Sequence, residues 1–221
     1  NYANLKLNIP DSYLNLLTTG TNIQRFKPIQ HQEKIALRKR HSIPEESVVI
    51  GTVARVSKQK DVATLYKGFV QASQYNSSLV LLHIGAGPLP HQCQALLNDS
   101  RGKIIWINSL SPIEEAYQMM DVFALCSLYE GLSLSSIEAM ASGLPLILTK
   151  VEGNVDILDS GANQCIGVEA QNAHEVMQAM LESVDFLSNT NNHCEVANDQ
   201  FSDEDFTRRL LSLYESKTNN D

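Results

Sequence analysis

From residue 48 onward the chain alternates short apolar runs with amphipathic ones, and this alternation narrows the fold more than any other feature. "SVVIGTVARV" is β-branched and apolar, and "VATLYKGFVQAS" then carries Leu65, Phe69 and Val70 at helical spacing. The pattern continues through "SSLVLLHIG", "LPHQCQALLNDS", "KIIWI", "PIEEAYQMM", "DVFALCS", "LSSIEAMAS", "LPLILT", "NVDILDS", "QCIGV" and "AHEVMQAMLESVDFL". Strands that are apolar on both sides, separated by short helices, belong in a parallel sheet covered on both faces. The predicted fold class is α/β: a Rossmann-like, doubly wound parallel sheet that binds its ligand at the carboxyl ends of the strands.

Three regions follow. Residues 1–44 form a leading segment with a helix predicted in "IQHQEKIALRKRHSIP", whose Arg38, Lys39 and Arg40 are read as a solvated helix end. Residues 45–187 hold the sheet. Residues 188–221 comprise a polar, Asn-rich loop and a terminal helix capped by Ser202, with Phe206, Leu210, Leu211 and Tyr214 on one face. A net charge of −8 argues against a nucleic-acid surface, so an anionic ligand must be held by local groups. With no apolar run of membrane-spanning length and a polar start that resembles neither a signal peptide nor a basic targeting helix, the chain is expected to be soluble and cytoplasmic. Its four cysteines lack Cys-x-x-Cys spacing and are expected to be reduced and mostly buried. The adjacent His193 and Cys194, with no further ligand in sequence, are read as loop filler, and no metal is expected.

Two places can carry chemistry. Arg55 and Lys60 lie where the first strand gives way to a helix, and a guanidinium plus an ammonium suit a diphosphate. Spacing alone also allows two exposed loop charges, and Lys58 competes with Lys60. "GAGP", residues 85–88, marks a second tight turn. The full Gly-x-Gly-x-x-Gly fingerprint is absent because position 90 is Pro, which argues against a conventional dinucleotide site. The second place is "SLYEGLSLSSIEAMAS". Glu130 and Gly131 fall in a strand-to-helix loop, the helix amides near Leu134 and Ser135 can hold a phosphate, and Glu138 follows inside the helix. Carboxylates accept hydrogen bonds from the vicinal diols of ribose and hexose rings, so two of them flanking a phosphate cradle describe a nucleotide-sugar site.

Taken in order, these segments resemble the carboxyl-terminal domain of the retaining glycosyltransferases of family 4, which have the GT-B fold. "TGTNIQRFKP" is similar to that family's inter-domain segment, "VARVSKQKD" to its Gly-Arg...Lys-Gly segment, "IGAGP" to its Gly-x-Gly-Pro turn, and "AYQMMDVFALCSLYEGLSLSSIEAMASGLPLILTKVEGNVDIL" to the block holding its Glu-x7-Glu motif. The resemblance implies a donor-binding half of a GT-B enzyme, with an acceptor-side domain preceding Asn1. It implies that Arg55 and Lys60 contact the donor diphosphate and act in catalysis by stabilising it. Glu130, counted with them among the catalytic residues, would bind hydroxyls of the transferred sugar, and the backbone from Gly131 through Leu132, Ser133 and Leu134 to Ser135 would hold sugar and phosphate oxygens. Glu138 would hold the ribose diol, and the base would lie near Asn108 and Leu110. The implied reaction moves a sugar from a nucleotide diphosphate sugar to a glycan or lipid-linked hydroxyl with retention, without metal or cofactor. The chain would reach the inner face of the membrane through the facing domain. Departures from the family pattern are Thr19 for Asn, Asp61 for Gly, Cys126 for Pro, Leu132 for an aromatic and Ser133 for Gly. Two rival readings are a nucleotide-sugar epimerase of the same fold and a noncatalytic nucleotide-binding or interaction domain.

Overall fold

The computed structural model describes residues 10, 14, 17, 20–100, 103–188 and 192–218; much of the leading segment, including Thr19, lies outside them. After a 3-10 turn at Ile23–Arg25 come α1 (His31–Arg40), β1 (Val48–Val53), α2 (Val62–Tyr75), β2 (Leu79–Ile84), α3 (His91–Asp99) and β3 (Ile104–Ile107). Then follow α4 (Glu114–Met119), β4 (Val122–Leu125), α5 (Leu134–Ala141), β5 (Leu146–Thr149), α6 (Glu152–Leu158), β6 (Cys165–Val168), α7 (Ala173–Ser183), α8 (His193–Phe201) and α9 (Asp203–Thr218). The six strands make one sheet in the order β3-β2-β1-β4-β5-β6, and each pairing is parallel. This is the predicted doubly wound sheet.

Alternation along the strands feeds two cores. Val49, Leu82, Phe123, Leu125, Leu146 and Leu148 point to one face, where Tyr117 of α4 and Ile137 and Met140 of α5 cover them. Ile50, Leu81, Val122, Ala124 and Ile147 point to the other, under Leu65, Tyr66 and Phe69 of α2 and Val176 and Met180 of α7. Burial of such side chains stabilises the domain by roughly 1.5–3 kcal/mol each relative to exposure. Val70, expected on the buried stripe of α2, is only half-buried against it.

Three sequence expectations need correction. Arg38 is not at a solvated helix end: it is buried, donating to Met119 O at 2.8 and 2.9 Å and to Ser47 O at 3.1 Å, and pairing with Asp121 at 2.6 Å. A guanidinium has five donors, so one side chain closes several backbone carbonyls at the amino edge of the sheet. Residues 193–200, expected as loop, form α8 together with Phe201, and the helix sends Val196, Ala197 and Phe201 into the same core as Ile23, Phe26 and Leu37 of the leading segment. His193 is not filler: it is buried, with Nδ1 2.6 Å from Leu144 O and Nε2 against Asn163 O, pinning the start of α8 to the edges of β5 and β6.

Ser202 caps α9 as expected, accepting from Asp205 N at 3.1 Å. The leading segment runs beside this junction: Thr21 N donates to Phe201 O and Asp203 N to Thr21 O, both at 3.1 Å. The predicted apolar face of α9 is only partly covered, with Leu211 and Tyr214 left 55% and 66% exposed. No helix among the described residues is long and apolar enough to cross a membrane.

Candidate functional site

The strand order reverses between β1 and β4, so the chain leaves their carboxyl ends in opposite directions and opens a crevice there. The two loops beside that crevice are stitched together. Leu128 N donates to Gln59 O at 2.7 Å and Gln59 Nε2 to Tyr129 O at 3.0 Å. Lys60 Nζ lies 2.5 Å from Glu130 Oε1, which also accepts from Ser127 Oγ at 2.5 Å. The Lys60 and Glu130 side chains are 16% and 6% exposed. The structure thus pairs two residues that the sequence assigned to separate ligand groups. This bond uses one of the three protons of the ammonium.

Asp61 shows why the loop tolerates its departure from glycine. Its φ of 39° lies in the left-handed region, which Asp enters more readily than most residues. The carboxylate accepts from Thr64 N at 3.3 Å and Thr64 Oγ1 at 2.6 Å, capping α2.

Arg55, Lys60, Asn108 and Leu110 line one cleft of about 430 Å³, together with Gly85 and Ile113. The chain ends of β1, β2 and β3 therefore converge there, and Arg55 is exposed. Gly85 is required by close approach. A Cβ there would meet Ala54 O at 1.9 Å, and its φ is +155°. Trp106 Nε1 donates to the Gly85 carbonyl at 2.8 Å, fixing the same wall from β3. A smaller cavity of about 290 Å³ between Pro28, Lys34, Pro145 and Phe186 lies at the amino edge, away from these residues.

The loop after β4 leads into α5 through Ser133. Ser133 is buried, and its hydroxyl accepts from Ser136 N at 3.3 Å and Ser136 Oγ at 2.8 Å. Its side chain is therefore spent on the helix cap, so position 133 offers a ligand its backbone. Leu132 packs against the core while Leu134 is exposed. Gly131 is exposed, and a Cβ there would have nothing within 4 Å. The cradle thus has open space in front of Gly131 and a capped helix start behind it. Ser135 Oγ lies 3.3 Å from Ser133 Oγ.

Glu138 sits deeper. Tyr117 Oη donates to Glu138 Oε2 at 2.5 Å, while Arg25 pairs with Glu114 at 2.7 Å close enough to act on Glu138. Burial holds the Glu138 carboxyl above its ordinary range, against the Tyr117 hydrogen bond and the Arg25 charge, which lower it. Burial, with the Glu138 charge, keeps the Tyr117 phenol protonated and a donor. Glu138, on α5, does not line the cleft itself. Sequence reasoning missed Tyr117 and Arg25, because the aromatic sits in an ordinary amphipathic helix and nothing in its spacing shows a polar partner.

A raised carboxyl pKa has a definite sign in stability. The native state holds the proton more tightly than the unfolded chain, so the group's contribution is most favourable below the unfolded value near 4.5 and falls as pH rises through the raised native value. Glu138→Gln is therefore expected to raise the melting temperature at neutral pH, with the gain fading below about pH 4.5. Melting curves at pH 4 and pH 7 check this. A variant less stable than the parent at pH 7 would mean that the carboxylate's attractions outweigh its burial.

A family model described as "Glycosyl transferases group 1" matches residues 47–185. The chain is similar to the alpha-monoglucosyldiacylglycerol synthase of Acholeplasma laidlawii, 26% identical over 92% of this chain and 53% of that protein. It is also similar to the N,N'-diacetylbacillosaminyl-diphospho-undecaprenol alpha-1,3-N-acetylgalactosaminyltransferase of Campylobacter jejuni, 24% identical over 90% of this chain and 53% of the other. Among solved structures, Anabaena HepE in complex with UDP-glucose superposes with a TM-score of 0.80 at 16% identity, covering 94% of this chain and 58% of that one. At that identity the likeness concerns the fold. The chain spans about half the length of these two curated relatives.

Proposed function

Because this chain belongs to the group 1 glycosyl transferases, we propose that it is the donor-binding half of a retaining enzyme that moves a sugar from a nucleotide diphosphate sugar to a hydroxyl. The observation that carries this reading is the convergence of Arg55, Lys60, Asn108 and Leu110 on one cleft at the carboxyl ends of β1, β2 and β3, with Glu130 joined to it through Lys60. In the proposed complex the base lies toward Asn108 and Leu110, the diphosphate meets Arg55 and Lys60, and the start of α5 adds its amides. Glu130 faces the sugar hydroxyls and Glu138 the ribose diol. No metal or cofactor is invoked, since two cations and a helix end supply the charge.

The Lys60–Glu130 bond bears on mechanism. Glu130 Oε1 is already occupied by an ammonium and a serine hydroxyl, which makes it a poor nucleophile for a double displacement and a good anchor for sugar hydroxyls. Front-face transfer fits better: the anomeric carbon–phosphate oxygen bond breaks as the acceptor oxygen bonds on the same face. The acceptor proton passes to the departing phosphate oxygen. Cations at the diphosphate then stabilise the charge that develops.

The proposal extends to a glycan or lipid-linked acceptor, presented by a facing domain at the cytoplasmic surface of the membrane; the lipids in the names of the two relatives support the acceptor class. Full-length protein incubated with UDP, GDP or ADP sugars and such acceptors should give a product with the donor's anomeric configuration by NMR. An inverted product, or an epimer formed from donor alone, would contradict the proposal.

A further inference from the structure

Beneath the cleft floor, a chain of polar groups crosses an otherwise apolar part of the core. Tyr66 of α2 and His83 of β2 are fully buried, with Tyr66 Oη 2.9 Å from His83 Nδ1 and His83 Nε2 2.9 Å from Ala54 O. A carbonyl only accepts, so Nε2 carries the ring proton; Nδ1 is then an acceptor and the tyrosine its donor. Burial favours the same arrangement, pushing the imidazole pKa down and the phenol's up. The neighbouring β2 residues Leu81, Leu82 and Ile84 are apolar and buried. Packing alone would be served by another such residue at position 83, since buried polar groups cost free energy unless bonded.

The carbonyl that His83 holds belongs to the peptide leading into Arg55. The same peptide lies against Gly85, where a Cβ would come within 1.9 Å of Ala54 O and 3.2 Å of Arg55 N. An imidazole proton therefore grips this peptide, and a turn without a side chain lies against it. We propose that His83, oriented by Tyr66, is a positioning residue of the cleft: it sets the plane of the Ala54–Arg55 peptide and so the direction in which the Arg55 guanidinium enters the cleft. The inference rests on the donor-binding reading of that cleft.

The test compares His83→Leu, His83→Gln and Tyr66→Phe with the parent chain, titrating each with uridine, guanosine and adenosine and with their diphosphates. His83→Leu should weaken binding of the preferred diphosphate at least tenfold and that of its nucleoside less than about twofold. His83→Gln, whose amide can donate to the same carbonyl, should recover most of the loss, and Tyr66→Phe should fall between. Equal losses for nucleoside and diphosphate, or no recovery with Gln, would make His83 a packing residue and overturn the inference. If His83→Leu fails to fold, Tyr66→Phe carries the comparison: it should weaken the diphosphate more than the nucleoside, and equal effects overturn the inference. If the parent binds none of these nucleotides, the donor reading fails and the backbone decides the rest. The Arg55 amide signal should then shift in Tyr66→Phe more than in His83→Gln, and an unmoved Arg55 amide would overturn the positioning role.

Discussion

Lys60→Met should cost the chain roughly 3–5 kcal/mol of folding stability, because it leaves the Glu130 carboxylate inside the protein without its cation. The methionine fills the space of the lysine stem, so little of the loss comes from packing. Lys60→Met combined with Glu130→Leu should regain most of that stability, since removing both charges also removes the cost of burying one alone. Neither variant should bind a nucleoside diphosphate well. Urea unfolding of parent, single and double variants separates the effects. A single variant within about 1 kcal/mol of the parent, the range of an exposed pair, would show that water screens the Lys60–Glu130 bond.

A second large effect is expected from a glycine outside the motif loop. Gly153 opens α6 beneath that loop, and a Cβ there would lie 2.1 Å from Gly131 O and 2.7 Å from Glu130 O. Both obstacles are backbone, so Gly153→Ala must displace the loop that carries Glu130. It should destabilise the chain by roughly 1–3 kcal/mol and weaken donor binding at least tenfold. Gly131→Ala is the contrasting case. Its methyl enters open space, so stability should change by no more than about 0.5 kcal/mol, while a ligand approaching the adjacent amides meets the new methyl and binds more weakly. Thermal melts and donor titrations of both variants test the pair. Equal stability losses would show that the loop yields easily.

The fold was legible because its strands are apolar on both faces and its helices are short; that pattern has few other solutions. Arg55 could be placed from the end of its strand, whereas Asn108 and Leu110 came only from the family resemblance. Partners were harder. Lys60 and Glu130 are 70 positions apart, and Arg38 and Asp121 83 apart, so nothing local shows that either pair meets. Local composition misled at α8: Glu195, Asn198 and Asp199 face solvent and disguise three inward apolar side chains. His83 sat unnoticed in an apolar strand because burial of a polar group is visible only once its partners are known.

The central claim is that the cleft holds a nucleoside diphosphate through Arg55. It is tested most directly by calorimetric titration of the parent and Arg55→Ala with a nucleoside and with its diphosphate, using each of the three bases. The parent should bind one diphosphate far more tightly than the matching nucleoside, and Arg55→Ala should remove roughly 1.5–3 kcal/mol of that difference while leaving nucleoside binding unchanged. Equal affinity of the parent for nucleoside and diphosphate, or equal losses for both in Arg55→Ala, would contradict the account.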